Sequence, residues 1–332
     1  MGTEGHRVAE NHRWAIVLAG GEGTRLRTLT TDAAGVAIPK QFCSFQRPHS
    51  MLRDALHRAE RHVPKEHVVT VVAAGHRHWW EPELADFPRE NVLQQPANRG
   101  TAAGILFPLI EILRRDPEAE ILVLPSDHFV GDEAVLEQAF QAALPAAHEV
   151  FQRVVLLGIT PDVPDSEYGW IVPRSRGKEL VAGVERFVEK PEPGVARRLL
   201  REGGLWNSFM FAASGKTLLF LYREILPDLL VPFLPRLIES AEDWDPARLA
   251  ETYRNLPTYD FSRHLLERAA NHLGVLAVPP CGWSDLGTPD RIRRCLVQSG
   301  EDWDVDIHSK YAGRVVGLPA RGTPLKVSGG AG

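Results

Sequence analysis

The chain has 332 residues, 44% hydrophobic and 24% charged, with a formal net charge of −5; it can bury one large α/β core or two modest ones. The acidic balance offers no general basic field and argues against a nucleic-acid partner. Its three cysteines, Cys43, Cys281 and Cys295, show no C-x-x-C spacing, which argues against a disulfide framework or a structural zinc site and fits a reducing cytoplasm.

Residues 1–13 form a polar N-terminal tail carrying Glu4, His6, Arg7, Glu10 and His12, without the apolar core of a secretion signal. Residues 14–19 read as a strand that opens straight into Gly20-Gly21-Glu22-Gly23-Thr24-Arg25, with Pro39-Lys40-Gln41-Phe42 about one loop later. Glycines let backbone N–H groups approach an anion that a Cβ would hold away, while Arg25 and Lys40 supply charge that a triphosphate needs. The segment predicts a nucleotide phosphate site; a plain glycine turn is the alternative. A Walker loop is excluded because no lysine separates Gly23 from Thr24, and Gly215-Lys216-Thr217 has Met210 where the first glycine should be. A dinucleotide fingerprint fails too: the pattern ends on Leu26, and Thr31 and Asp32 lie too near to be the distant ribose carboxylate.

Further along, runs at 15–18, 68–73, 121–124 and 154–159 read as buried parallel strands, and 51–62, 101–115 and 133–143 carry apolar positions at helical spacing. Repeated βα units predict a doubly wound α/β sheet with ligands at the carboxyl ends of its strands. Past about residue 158 the strands shorten, as at 170–172 and 185–188, and a mixed sheet is expected. Residues 218–238 are interrupted by Arg223, Glu224, Asp228, Arg236 and three prolines, so they read as amphipathic helix and loop rather than a membrane span. With no internal repeat or low-complexity linker, one catalytic domain of two lobes is expected over 14–298, the lobes at about 14–157 and about 158–298. A short extension, 299–332, ends in a Gly-rich, flexible tail.

Several polar groups fall at chemically useful places. Asp127 follows a buried strand, where a carboxylate can reach a crevice and hold Mg²⁺ or else cap the next helix. His128 reads as a neutral, packed loop histidine. Asp285 sits in Cys281-Gly282-Trp283-Ser284-Asp285-Leu286-Gly287-Thr288, a tight turn that fixes one carboxylate; Asp127 with Asp285 would suit Mg²⁺, and a turn role is the alternative. Glu189-Lys190 is either a surface ion pair or a pair meeting sugar hydroxyls and a sugar phosphate. The aromatic runs 167–170 and 206–211 suit either core packing or a polyol. The cluster His76-Arg77-His78-Trp79-Trp80 lacks further ligands at readable spacing and reads as a surface helix start.

Taken in order, these pieces resemble the sugar-phosphate nucleotidyltransferases, most closely the mannose-1-phosphate guanylyltransferases. The resemblance spans roughly 14–294 and rests on eight motifs in family order. They are Leu18-Ala19-Gly20-Gly21-Glu22-Gly23-Thr24-Arg25-Leu26, Pro39-Lys40-Gln41-Phe42, Asn98-Arg99-Gly100-Thr101-Ala102, Pro125-Ser126-Asp127-His128, Tyr168-Gly169-Trp170-Ile171, Glu189-Lys190-Pro191, Trp206-Asn207-Ser208 and Trp283-Ser284-Asp285-Leu286-Gly287. It implies a Rossmann-like, glycosyltransferase-A-like fold and Mg²⁺-dependent transfer of a nucleotidyl group from a triphosphate, GTP favoured, to a sugar 1-phosphate, mannose 1-phosphate favoured. By position, Leu18, Ala19, Gly20, Gly21, Gly23, Thr24, Arg25, Gln95, Pro96, Asn98, Gly100 and Thr101 would bind the nucleotide. Tyr168, Gly169, Glu189, Lys190 and Asn207 would meet the sugar phosphate; Asp127 and Asp285 would hold Mg²⁺; and Arg25, Lys40, Asp127 and Lys190 would act on the reacting phosphates. The resemblance carries no nucleic-acid or membrane partner and allows a homodimer. The isomerase domain of bifunctional relatives has no counterpart here, so no mannose-6-phosphate isomerisation is expected.

Two departures bear on specificity. The family's Thr-Arg-Leu-Trp-Pro-Leu reads Thr24-Arg25-Leu26-Arg27-Thr28-Leu29, with a longer connection to Pro39, and its Trp-Asn-Ser-Gly-Met-Phe reads Trp206-Asn207-Ser208-Phe209-Met210-Phe211. Two other readings therefore stand beside GDP-mannose synthesis: the same chemistry with another base or sugar, and a nucleotide-sugar-binding regulatory protein without turnover.

Overall fold

The computed structural model describes residues 12–298 except 24–25, 32–34, 45–48, 150–152, 175–178 and 240–244. Most of the predicted N-terminal tail and all of the 299–332 extension fall outside the described residues, as do Thr24 and Arg25.

Strand β1, Arg13–Ala19, lies between β2, Val68–Ala73, and β4, Glu120–Pro125, parallel to both; β3, Val92–Gln95, adds in parallel outside β2. The strand alternation divides β1 between two cores. Ala15, Val17 and Ala19 pack with the helices Met51–Glu60 and Glu133–Glu149, while Trp14 and Ile16 face the helix Gly100–Arg115. Helices on both faces make the arrangement doubly wound. The helix Met51–Glu60 starts where Ser50 accepts a hydrogen bond from the Arg53 N–H, satisfying one of the donors a helix leaves open. The predicted helix 133–143 continues to Glu149 because Leu144 and Ala147 extend its buried stripe.

Beyond β4 the sheet becomes mixed. Strand β8, Leu205–Ser214, runs antiparallel between β4 and β5, Val154–Ile159. Next to β5 comes β9, Leu273–Val278, in parallel, then β7, Ala182–Glu189, and β6, Gly169–Pro173, each antiparallel to its neighbour. A further pairing of Trp170 with Trp206 joins β6 back to β8. The run 154–159 is thus parallel to β9 but separated from β4 by an antiparallel strand. Sequence pattern missed β3, β8 and β9, because each departs from a plain apolar run: β3 ends in two glutamines, β8 carries Asn207 and Ser208, and β9 carries Gly274. The helix Arg77–Glu83 follows His76, yet it is no purely surface feature: Trp79 and Trp80 are buried, and the Trp80 indole donates to the Ala73 carbonyl.

Among the described residues no helix is long and apolar enough to cross a membrane. The carboxyl ends of β1, β3 and β4 lead into loops 20–23, 96–99 and 126–132 at one edge of the sheet, where a doubly wound fold places its ligands.

Candidate active site

A cleft of about 330 Å³ opens at that edge. Its first wall is the glycine loop after β1. Gln41 clamps the loop, its Nε2 donating to the carbonyls of Ala19 at 3.0 Å and Gly21 at 2.8 Å. Ser126 Oγ likewise donates to the Leu18 carbonyl at 2.7 Å. The loop is held through its acceptors, which suits a segment whose donors must serve an anion. At Gly23, φ is +60° and a Cβ would stand 2.8 Å from the Lys40 amide nitrogen, so both conformation and space require glycine.

The second wall comes from β3 and the helix after it. Gln95 is buried and its Nε2 donates to the Tyr253 hydroxyl at 3.2 Å. Asn98 Oδ1 accepts from the Gly100 N–H at 2.9 Å, and Thr101 Oγ1 accepts from the Phe261 N–H at 2.7 Å. Gly100 has φ +80°, and a Cβ there would lie 2.2 Å from the Tyr259 carbonyl oxygen. Leu18, Gln95, Asn98, Gly100 and Thr101 all line the cleft. Pro96 does not; it lines a neighbouring cavity that shares Gly20 and Gln95. Ala19 is buried and contributes only its carbonyl to the clamp.

The floor carries the charged groups. Lys40 is 6% exposed and lines an adjoining cavity, shared with Asp127 and Asp285, rather than the cleft itself; its Nζ pairs with Asp127 Oδ2 at 2.8 Å and donates to the Asp285 carbonyl oxygen. Asp285 Oδ1 accepts three hydrogen bonds, from Tyr168 OH at 3.1 Å, the Gly287 N–H at 2.9 Å and Arg291 Nη1 at 2.7 Å. All three fall on one oxygen, leaving Oδ2 for another cation. Burial opposes the charge on both aspartates, but Lys40 beside Asp127, and Arg291 beside Asp285, outweigh it and hold both carboxyls below their usual range. Among the described residues no group of three or more His, Cys, Asp or Glu could hold a metal. Two ionised carboxylates at a cleft floor instead fit a hard cation that takes its other ligands from water and phosphate oxygens, as Mg²⁺ does. His128 lies edge-on to Trp283 at 5.3 Å, and burial pulls its pKa down, so it is a neutral, packed ring.

The far wall belongs to the second half of the sheet. Tyr168, Gly169, Glu189, Lys190 and Asn207 line it, joined by Asp260 and Ser262. Asn207 Oδ1 accepts from the Phe209 N–H at 3.1 Å, and its Nδ2 donates to Ser262 Oγ at 3.4 Å. Burial, then the neighbouring Asp260, push the Glu189 carboxyl up to about 7. Among the described residues, three other than glycine have left-handed φ: Lys190 at 48°, Phe209 at 60° and Leu286 at 45°. Each costs roughly 1–2 kcal/mol, and each lies within two residues of a predicted site residue.

Sequence reading missed several supports. Arg291 is 3% exposed, places its guanidinium 3.9 Å from the centre of the Tyr168 ring, and bridges Asp285 to Asp165 through Nη2 at 2.7 Å. Its only sequence signal was a cation one helical turn past the Asp285 motif. Gln41 was visible within Pro-Lys-Gln-Phe without a stated role. Tyr253, buried behind Gln95, and Asp260 and Ser262, which line the cleft, carried no motif, because they come from a segment far away in sequence.

The cleft thus brings together a glycine-lined anion loop, two loop carboxylates and a polar second wall. The family model for nucleotidyl transferases matches residues 14–298. The chain belongs to the nucleotidyl transferase family. It is 30% identical over 295 residues to the mannose-1-phosphate guanylyltransferase of Escherichia coli, covering 85% of this chain and 59% of that protein. It is equally similar, over 293 residues, to the xanthan biosynthesis protein XanB of Xanthomonas campestris, covering 86% of this chain and 60% of that protein. The chain therefore spans about 60% of the length of these relatives. Among solved structures, a Thermus thermophilus protein described as a mannose-1-phosphate geranyltransferase superposes with a TM-score of 0.73 at 30% identity, over 86% of this chain and 79% of that one. A glucose-1-phosphate thymidylyltransferase described as putative, from Bacillus anthracis, shares the fold at 15% identity and a TM-score of 0.53, over 90% of this chain and 99% of that one.

Proposed function

We propose that this chain transfers a nucleotidyl group from GTP to mannose 1-phosphate, forming GDP-mannose and releasing pyrophosphate in the cytoplasm. The carrying observation is that the glycine loop, Asp127, Asp285 and the Glu189–Lys190 pair, separated by up to 265 positions, line one cleft. The names of the guanylyltransferase relatives support the choice of base and sugar.

The chemistry needs no protein nucleophile. A phosphate oxygen of the sugar 1-phosphate, already ionised at neutral pH, forms a new P–O bond to the α-phosphorus while the bond to the β-phosphate oxygen breaks and its electron pair leaves with pyrophosphate. The difficulty is bringing two anions together, so positioning and charge neutralisation carry the rate. Mg²⁺, held by Asp127 and Asp285, would neutralise phosphate charge and orient the α-phosphate. The glycine loop and Arg25 would cradle the triphosphate, and Lys40 would meet the reacting phosphates. Gln95, Asn98, Gly100 and Thr101 would seat the base and ribose. Tyr168, Gly169, Glu189 and Asn207 would hold the sugar, with Lys190 on its phosphate.

The test is pyrophosphate release by the purified chain with Mg²⁺, offering GTP, ATP, dTTP or UTP with mannose 1-phosphate or glucose 1-phosphate. Selective release with GTP and mannose 1-phosphate is expected. Release with another pair would keep the mechanism and move the substrate; silence across the panel, with GDP-mannose still bound, would favour a regulatory protein.

A further inference from the structure

Among the described residues, left-handed backbone on residues other than glycine gathers at and beside the cleft. Of the three non-glycine residues with left-handed φ, Lys190 has an ammonium to aim into the cleft and Leu286 follows the fixed carboxylate of Asp285. Phe209 has no such polar duty. It sits on an irregularity of β8, where Phe211 pairs with Leu156 and Asn207 with Gly158, so that three residues of β8 face one of β5. Glycine would make this bulge without strain. The strain is therefore retained for the sake of the side chain.

That side chain packs against the margin of the core without being enclosed by it. Phe209 is only partly buried and meets the Phe261 ring edge-on at 6.2 Å between centres. It lines the cleft as an apolar surface among Glu189, Lys190, Asn207, Asp260 and Ser262. Its own N–H fixes the Asn207 carboxamide, so ring and amide are presented together. An aromatic face beside hydroxyl-binding groups is what a pyranose offers surface to, since its ring C–H face is apolar and its edge is polar.

We propose that Phe209 is the sugar-specificity residue of this chain, an apolar platform for the C–H face of a hexose 1-phosphate that also limits the space available to ring substituents. The inference rests on the nucleotidyl-transfer reading and adds a selecting residue to it. It makes this cleft narrower and more apolar on the sugar side than one with glycine at the same place.

The test compares the wild-type protein with Phe209→Gly and Phe209→Leu, after circular dichroism has shown that both variants fold. Phe209→Gly is expected to raise the KM for the hexose 1-phosphate about tenfold while the KM for the nucleoside triphosphate stays within twofold. Phe209→Leu should fall between them, and N-acetylglucosamine 1-phosphate should gain on the unsubstituted hexose in Phe209→Gly. An unchanged sugar KM in Phe209→Gly, or an equal rise in the nucleotide KM, would overturn the proposal. Should the wild type turn over no sugar phosphate, the nucleotidyl-transfer reading fails separately, and calorimetry with GDP and GDP-mannose then decides. A preference for GDP-mannose over GDP that shrinks in Phe209→Gly sustains the platform; an unaltered preference, or none in the wild type, rejects it.

Discussion

The two ends of the cleft, on the proposed reading a nucleotide end and a sugar end, are built by different means. At the nucleotide end, residues 18–23 and 98–101 turn out of parallel strands, and the constraint is on backbone: Gly23 and Gly100 have positive φ and no room for a Cβ. At the sugar end, residues from β6, β7, β8 and the segment around Asp260 meet through side chains. Positive φ there falls on Lys190 and Phe209 instead of glycine. Triphosphate and ribose are common to many substrates, and a backbone cradle that reads them needs only space. Sugars differ by the placement of single hydroxyls, so their end is read by side chains that can change one at a time. Asp127 and Asp285, linked through Lys40, stand where the two ends join.

The largest effect should come from that junction. Asp127→Ala and Asp285→Ala are each expected to lower kcat by at least about a hundredfold, on the order of 3 kcal/mol, with the fold retained by circular dichroism; near-normal turnover in either removes it from the junction. Lys40→Met should also lose turnover, yet bind Mn²⁺ without nucleotide about tenfold more tightly. A buried ammonium 2.8 Å from an Asp127 oxygen competes with any cation for that carboxylate. Unchanged Mn²⁺ affinity by calorimetry would mean that the metal does not use the oxygen Lys40 now holds.

Gly100→Ala sharpens the comparison at the nucleotide end. Its Cβ would meet the Tyr259 carbonyl, so the nucleotide KM should rise on the order of tenfold, about 1.4 kcal/mol, with the sugar KM unmoved. A parallel rise in both would show that the two ends are not separately built.

The smallest effect is a pH dependence confined to the sugar end. Glu189 faces Asp260, Lys190, Glu267 and Arg263, and its carboxyl titrates at about 7. As pH rises through 7 it loses a donor proton and gains negative charge beside an incoming phosphate, so the sugar KM should rise a few-fold between pH 6 and 8. Glu189→Gln should flatten that rise, and a slope that persists in Glu189→Gln assigns it elsewhere. The same raised value favours the folded state below the ordinary carboxylate range, and that contribution is lost as pH climbs through about 7.

Legibility in the sequence follows the same divide. The glycine loop, the Asp127 motif and the helix Gly100–Arg115 could be read because each lies within one contiguous segment, where strand, turn and helix follow one another. The antiparallel insertion of β8 could not, because its partners β4 and β5 lie more than 40 residues away. Nor could Arg291, whose value depends on Asp165 and Tyr168 standing beside it.

The sequence by itself determined the local chemistry: which loop approaches phosphate, which loops carry a carboxylate, and that a phenylalanine follows Trp206-Asn207-Ser208. Only the tertiary structure decided how these combine. It placed Lys40 on Asp127, left one oxygen of Asp285 clear of its three hydrogen bonds, put a raised pKa on Glu189 and gave Phe209 a left-handed backbone. The reason is physical: approach to an anion is governed by local backbone and Cβ sterics, whereas burial, ion pairing and strain depend on neighbours that the chain brings together only by folding.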